Sequence, residues 1–193
     1  MPIKSRPVVL WNRRQKLAVA AVCSATAFAP GAAFANHGDG GAPEPMLDPD
    51  NTAHDYEKLG LTDGGSKACE NGASQANRSD LNTSIGSGDV HCRDAFHGAN
   101  WFGLTTCTST VAFSGRCDHY DVDFDLSDVD STPDTAAENN AWKYIGCHEF
   151  GHTGGLGHRT NANDTNFDSC MNQETLNITT MDQHDLDQIN EDV

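Results

Sequence analysis

A chain of 193 residues carrying 28 Asp and Glu against 12 Lys and Arg has a formal charge of −16. That length suits one domain with a real core and little more. The charge sets its surface against nucleic acid and anionic membranes, so neither is expected as a partner.

Residues 1–35 read as a secretory signal peptide. Lys4, Arg6, Arg13, Arg14 and Lys16 form a basic start, an alanine-rich apolar run follows from Leu17 to Phe34, and Ala33-Phe34-Ala35 is a small-x-small cleavage site. Pro30 and Gly31 interrupt the run, which argues against a membrane span of about 20 apolar residues. Arg13-Arg14 leaves open whether export takes the Sec or the twin-arginine route. Cleavage after Ala35 leaves seven Lys and Arg against 28 Asp and Glu, a charge of −21. The expected location is extracellular, and the expected state is a monomer.

Cleavage also removes Cys23 and leaves six of the seven cysteines. An even count in an exported chain points to disulfides, although six cysteines allow 15 pairings and sequence alone does not choose among them. Nearness along the chain suggests Cys107–Cys117, which bracket "TSTVAFSGR". Cys147–Cys170 and Cys69–Cys92 are the remaining guesses. Without a C-x-x-C pair, thiolate ligation of zinc is disfavoured.

Residues 36–66 are crowded with Gly, Pro and Asp and show no apolar period, so they read as a flexible linker or short pro-segment. Compact structure is expected over 67–193. "SKACENGASQANRSDL" is a weak helix candidate, with Gly72 and several Asn against it. "DVHC" is a short strand, and "WFGLTTCTSTVAF" reads as strand, turn and strand. "HYDVDFDLSDV" alternates: Val122, Phe124 and Leu126 point one way, and Asp121, Asp123 and Asp125 the other, which predicts a half-buried strand. The three aspartates are also a candidate Ca²⁺ site, though alternation alone accounts for them.

The clearest helix follows, capped by Ser131 or Thr132 with Pro133 in its first turn, and running to Thr153. Ala141, Ile145, His148 and His152 share one face. A closing helix is expected after a capping box of Thr180 and Gln183, with Met181, Leu186 and Ile189 buried.

The chemistry lies in "CHEFGHTGGLGH", Cys147 to His158. Four residues turn a helix by about 400°, so the imidazoles of His148 and His152 project from nearly one side, about 6 Å apart along the axis. If the helix continued, His158 would face away. It must stop, and Gly154-Gly155 permits a left-handed C-cap that brings His158 back. His148, His152 and His158 are the candidate ligands of one Zn²⁺. Glu149, about 100° round the helix, is not a ligand but can act as general base on a water in the open fourth position. H-E-x-x-H alone arises by accident; the added x-x-G-x-x-H fixes five positions in phase with a helix.

His148-Glu149-Phe150-Gly151-His152-Thr153-Gly154-Gly155-Leu156-Gly157-His158 resembles the metzincin zinc-endopeptidase signature, with Gly155 at the motif glycine. "DSCMNQ" then offers Met171 as the methionine turn, a structural floor beneath the metal and not a ligand. "WFGLTTC…GRC…YDVDF" and the closing helix look like secreted bacterial matrixin-like members. The resemblance implies an α+β fold with a twisted mixed sheet, an active-site helix and a small C-terminal subdomain ending in a helix. It implies a zinc metalloendopeptidase acting on a protein or peptide substrate, with the "YDVDF" strand lining the cleft and pairing with substrate backbone. Where some members place a tyrosine ligand, two residues past the methionine, Gln173 stands, and no such ligand is carried over. Two other readings fit the residues: a non-catalytic secreted zinc-stabilised binding protein, and a zinc amidase acting on cell-wall peptides.

Overall fold

The computed structural model describes residues 46–98, 101–127, 129, 133–159, 168–172 and 177–193. The signal segment 1–35, the linker up to residue 45, Ser131, Thr132 and Gln173 lie outside the described residues. Within them the chain is mixed α and β, in the order β1 (Tyr56–Lys58), α1 (Asp63–Ala76), β2 (Val90–Ala95), β3 (Gly103–Thr110), β4 (Cys117–Asp125), α2 (Ala136–Thr153) and α3 (Gln183–Asp192). The sheet has the order β1-β2-β4-β3. Its β1–β2 and β2–β4 pairs are parallel and β3–β4 is antiparallel.

The alternation read in β4 sets the two faces of this sheet. Tyr120, Val122 and Phe124 are fully buried, beside Val90 and Cys92 of β2. Phe124 meets the ring of Trp142 on α2 edge-on at 6.1 Å, and Tyr56 meets Phe150 at 6.2 Å. Both helical rings lie on the sheet's buried face. Asp121 and Asp123 face outward, where Arg93 pairs with both.

β4 is hydrogen-bonded on both sides, by β2 and by β3. Its backbone is therefore not free to take a substrate strand, which corrects the role expected of "YDVDF". The antiparallel edge belongs to β3. The stretch 101–113 holds one strand, Gly103–Thr110, not strand–turn–strand. Its register slips between Cys107 and Thr110, and the turn comes later, closed by the Val111 amide on Arg116 O (2.9 Å).

Compact structure begins well before Lys67. The Asp50 amide donates to Cys117 O (2.9 Å), the Cys117 amide to Asp48 O (2.8 Å), and the Tyr120 hydroxyl to Leu47 O (2.6 Å). β1 then adds to the sheet beside β2. Backbone pairing holds this segment, which is why a search for apolar periodicity passes over it.

Helix α1 forms despite its glycines because they lie where α2 presses closest. A Cβ on Gly72 would run into the Phe150 ring and the Gly146 carbonyl, and one on Gly146 into the Ala68 carbonyl. A glycine costs a helix roughly 1 kcal/mol in propensity, and here it allows two backbones to approach through a layer of Ala68, Ala73 and Cys69, all buried. The start of α2 is also later than expected. Thr135 is the N-cap, in a capping box with Glu138: the Glu138 amide donates to Thr135 Oγ1 (3.2 Å) and the Thr135 amide to Glu138 Oε2 (2.9 Å). For α3 the box is Asp182 with Asp185, not Thr180 with Gln183. Met181, Leu186 and Ile189 are buried as expected.

Disulfides join Cys69–Cys92, Cys107–Cys117 and Cys147–Cys170, with Cα separations of 6.2, 5.9 and 6.0 Å. Three such links fit an oxidising compartment. Among the described residues no helix is long and apolar enough to cross a membrane.

Candidate metal centre

The end of α2 is built as the glycine pair predicts. Gly154 is the C-cap, and Gly155 follows at φ +88, in the left-handed region that favours glycine. The Leu156 amide returns to Gly151 O (3.0 Å) and the Gly155 amide to His152 O (3.1 Å). These are the 6→1 and 5→2 bonds of a Schellman ending. They reverse the chain, bury Leu156 and bring His158 back over the last turn. The Arg159 amide donates to Met171 O (3.0 Å) and holds that return in place.

His148, His152 and His158 consequently converge. His152 Nε2 lies 3.2 Å from His148 Nε2 and 3.1 Å from His158 Nε2. Each residue contributes one nitrogen to a cluster spanning no more than 4.8 Å, a group able to hold a metal ion. The outer nitrogens of two rings are committed elsewhere: His148 Nδ1 lies 2.8 Å from Cys170 O, and His152 Nδ1 lies 2.7 Å from Leu156 O. A carbonyl only accepts, so each Nδ1 carries a proton. A neutral ring has one N–H, so in the neutral form of either ring Nε2 is the acceptor atom. Neutrality is favoured by the surroundings: burial lowers the His148 pKa to about 4, helped by the nearby His158, and burial lowers that of His158. Between neutral rings, the 3.2 Å contact of His148 and His152 sets lone pair against lone pair.

Glu149 stands outside that cluster. Its carboxylate is 4% exposed and accepts from the Thr105 hydroxyl at Oε2 (2.8 Å); the same hydroxyl lies 3.0 Å from Glu149 O. Burial pushes its pKa up to about 7, and the Thr105 hydrogen bond works against that rise. Gly103, two residues before Thr105, leaves space that a Cβ would take from the carboxylate. Met171 is fully buried, and its sulfur occupies the space where Gly151 lacks a side chain. A methionine thus fills the notch between the two helical histidines. Tyr144, one turn before His148, donates its hydroxyl to Asn172 O (3.0 Å) and ties the helix to the residue after Met171.

Thr105, Gly103, Gly151, Tyr144 and Arg159 belong to this site and escape the motif. Gly151 has a signal in the sequence, as one of two glycines, with Gly146, inside the helix. Arg159 is 4% exposed, and the pairing of its guanidinium with Asp182 (2.7 and 3.0 Å) and Asp185 (3.1 Å) is a matter of tertiary contact alone.

The three aspartates of β4 do not gather into a site. Asp121 and Asp123 engage Arg93, while Asp125 is buried and accepts from the His97 amide (3.1 Å), the Ser127 amide (2.9 Å) and the Ser127 hydroxyl (2.6 Å). Among the described residues, no close group of metal-ligating side chains unites them, so the structure gives the Ca²⁺ expectation no cage.

Compared with known proteins, the chain matches no family model and no curated sequence.

Proposed function

We propose that this protein is a secreted zinc-dependent endopeptidase of the metzincin type, with His148, His152 and His158 holding one zinc ion and Glu149 as general base. One observation carries the reading: two imidazoles whose Nδ1 atoms are held by backbone carbonyls bring their Nε2 atoms within 3.2 Å of each other, with a third 3.1 Å away. Lone pairs in that arrangement repel unless a cation lies between them. Tetrahedral zinc with Zn–N of about 2.0–2.1 Å sets its nitrogens about 3.3 Å apart, close to the spacing of this trio. Anchoring of Nδ1 on carbonyls is the usual outer support of a histidine ligand.

A zinc ion held there would supply Lewis acidity toward a peptide carbonyl and toward water. The chain supplies the rest. Glu149, raised toward neutrality by burial, takes a proton from water at its carboxylate as the water oxygen adds to the carbonyl carbon. The proton then passes to the amide nitrogen as the C–N bond breaks and the amine leaves. Thr105 fixes which carboxylate oxygen stays occupied, and Gly103 keeps the approach open. An extended substrate would lie along the edge of β3 that carries no partner strand among the described residues, which places its backbone beside Glu149.

The test uses purified full chain. Zinc-loaded protein should cleave casein, and a chelator should abolish the cleavage. Glu149→Gln should keep the zinc and lose at least about a hundredfold in kcat/KM, the scale of general-base assistance. A Glu149→Gln protein cleaving at the wild-type rate would remove the assigned base. Zinc bound by the trio with no cleavage of unfolded proteins would favour a binding protein, and cleavage confined to cell-wall peptides an amidase.

A further inference from the structure

We infer that the outward face of the sheet carries a second divalent-cation site, formed by His91, His119 and Asp121 and taking a late first-row metal such as zinc. It lies on the side of the sheet opposite α2 and depends on none of the residues of the His148–His152–His158 centre. The register builds it. Glu57, His91 and Asp121 stand side by side across β1, β2 and β4, and His119 precedes Asp121 by two residues on the same face. Neighbouring strands are about 4.8 Å apart, so these side chains must meet.

Their donor atoms do meet. His119 Nε2 lies 2.9 Å from His91 Nδ1, Asp121 Oδ1 lies 3.7 Å from the same nitrogen, and one donor atom from each of the three residues falls within 4.8 Å of the others. The rings stand nearly perpendicular, with centroids 4.1 Å apart. The remaining atoms of the group support the arrangement. Glu57 Oε2 lies 3.5 Å from His91 Nε2, which favours the proton on that nitrogen and leaves the Nδ1 lone pair facing the cluster. Arg93 pairs with Asp121 Oδ2 and, 3.2 Å away, with Asp123 Oδ1. It orients the Asp121 carboxylate and leaves Oδ1 toward His91, and its own charge is met by two aspartates. Two imidazoles and one carboxylate suit zinc, copper or nickel and not calcium or magnesium. The His91 and Asp121 side chains are 29% and 22% exposed, so a cation reaches them from solvent and keeps an open position there. Bound, it would clamp β2 to β4 at the centre of the sheet.

A hydrogen bond between two imidazoles also gives 2.9 Å, and the experiment separates the two. Metal-free full chain is titrated with Zn²⁺ by calorimetry and by equilibrium dialysis. The wild type is expected to bind two equivalents. His91→Ala/His119→Ala should bind one, His148→Ala/His152→Ala should also bind one, and His119→Gln alone should weaken the second equivalent at least tenfold. If the surface double variant binds as much zinc as the wild type, the site is a hydrogen-bonded pair and the inference falls. If the wild type binds one equivalent, lost only in the His91/His119 variant, this site stands and the catalytic trio does not.

Discussion

Replacing Cys147 and Cys170 together by alanine opens a link whose ends both lie beside the histidine trio. Cys147 precedes His148, and the carbonyl of Cys170 faces His148 Nδ1 at 2.8 Å. The partners are 23 residues apart, which closes a loop of about 24. Chain-entropy reasoning, about 2.1 plus 1.5R ln n cal/mol/K, gives about 11.5 cal/mol/K, or roughly 3.4 kcal/mol at 25 °C. Both cysteines are fully buried, so the exchange also leaves small voids and the loss should not fall below that by much. The second consequence is local. Without the link, the Cys170 carbonyl and Met171 are no longer pinned to α2, and a ligand that loses its outer support typically loses tenfold to a hundredfold in metal affinity. The assay is urea unfolding of metal-free protein, so that bound zinc does not contribute, followed by zinc titration of the same samples. A stability loss under about 1 kcal/mol with unchanged zinc affinity would mean that α2 and the segment around Met171 are held together by packing alone.

Thr105→Val keeps the shape of the β3 side chain and removes the hydroxyl from Glu149 Oε2; kcat/KM should fall by about tenfold with zinc content unchanged, as read by peptide cleavage and metal analysis. Gly146→Ala drives a methyl into the Ala68 carbonyl and should destabilise the α1–α2 crossing by about 1–3 kcal/mol in urea unfolding; an unchanged midpoint would show that the helices can separate freely. His54 is 1% exposed, lies 2.8 Å from Thr153 Oγ1, and has its pKa lowered by burial from 6.5 to about 4. A base with a lowered folded pKa gives full stability above its unfolded value and loses it on acidification. The wild type should therefore lose up to roughly 3 kcal/mol relative to His54→Gln between pH 6.5 and 4. Parallel pH curves for the two proteins would contradict the assignment.

What the sequence made legible was local. The spacing of His148 and His152 is a helix period, and Gly154-Gly155 is a helix ending, so the trio follows from backbone geometry within twelve residues. Val122 and Phe124 against Asp121 and Asp123 is a strand period, and the burial of β4 follows it as far as Phe124; Asp125, expected on the outer face, is buried instead. Cysteines paired by nearness because each link joins elements that are successive or packed together. What stayed hidden depends on contacts between distant segments. Thr105 is 44 residues from Glu149, and no pattern within β3 announces that it turns toward that carboxylate. Gly72 weakens α1 in isolation and serves it in contact with Phe150, so a propensity scale gives the wrong sign. The segment before Lys67 is ordered by backbone pairing with Cys117, which leaves no trace in side-chain periodicity.

The buried ion network behind His158 shows why placing the third candidate ligand takes more than glycines. Arg159 follows His158 directly and reaches both Asp182 and Asp185; Asp185 in turn accepts from the Ser169 hydroxyl, whose oxygen takes the Met171 amide (2.9 Å). A buried ion pair of this kind contributes little net stability, because desolvation offsets its attraction. Its value here is geometric. Asp182 and Asp185 cap α3 while binding the guanidinium, so one side chain fixes the orientation of that helix relative to the residue after the last histidine. A guanidinium can do this because its planar fork serves two carboxylates at once, where a lysine would present a single point of charge. The glycines let the chain turn back toward the metal centre, and Arg159 determines how far back it comes.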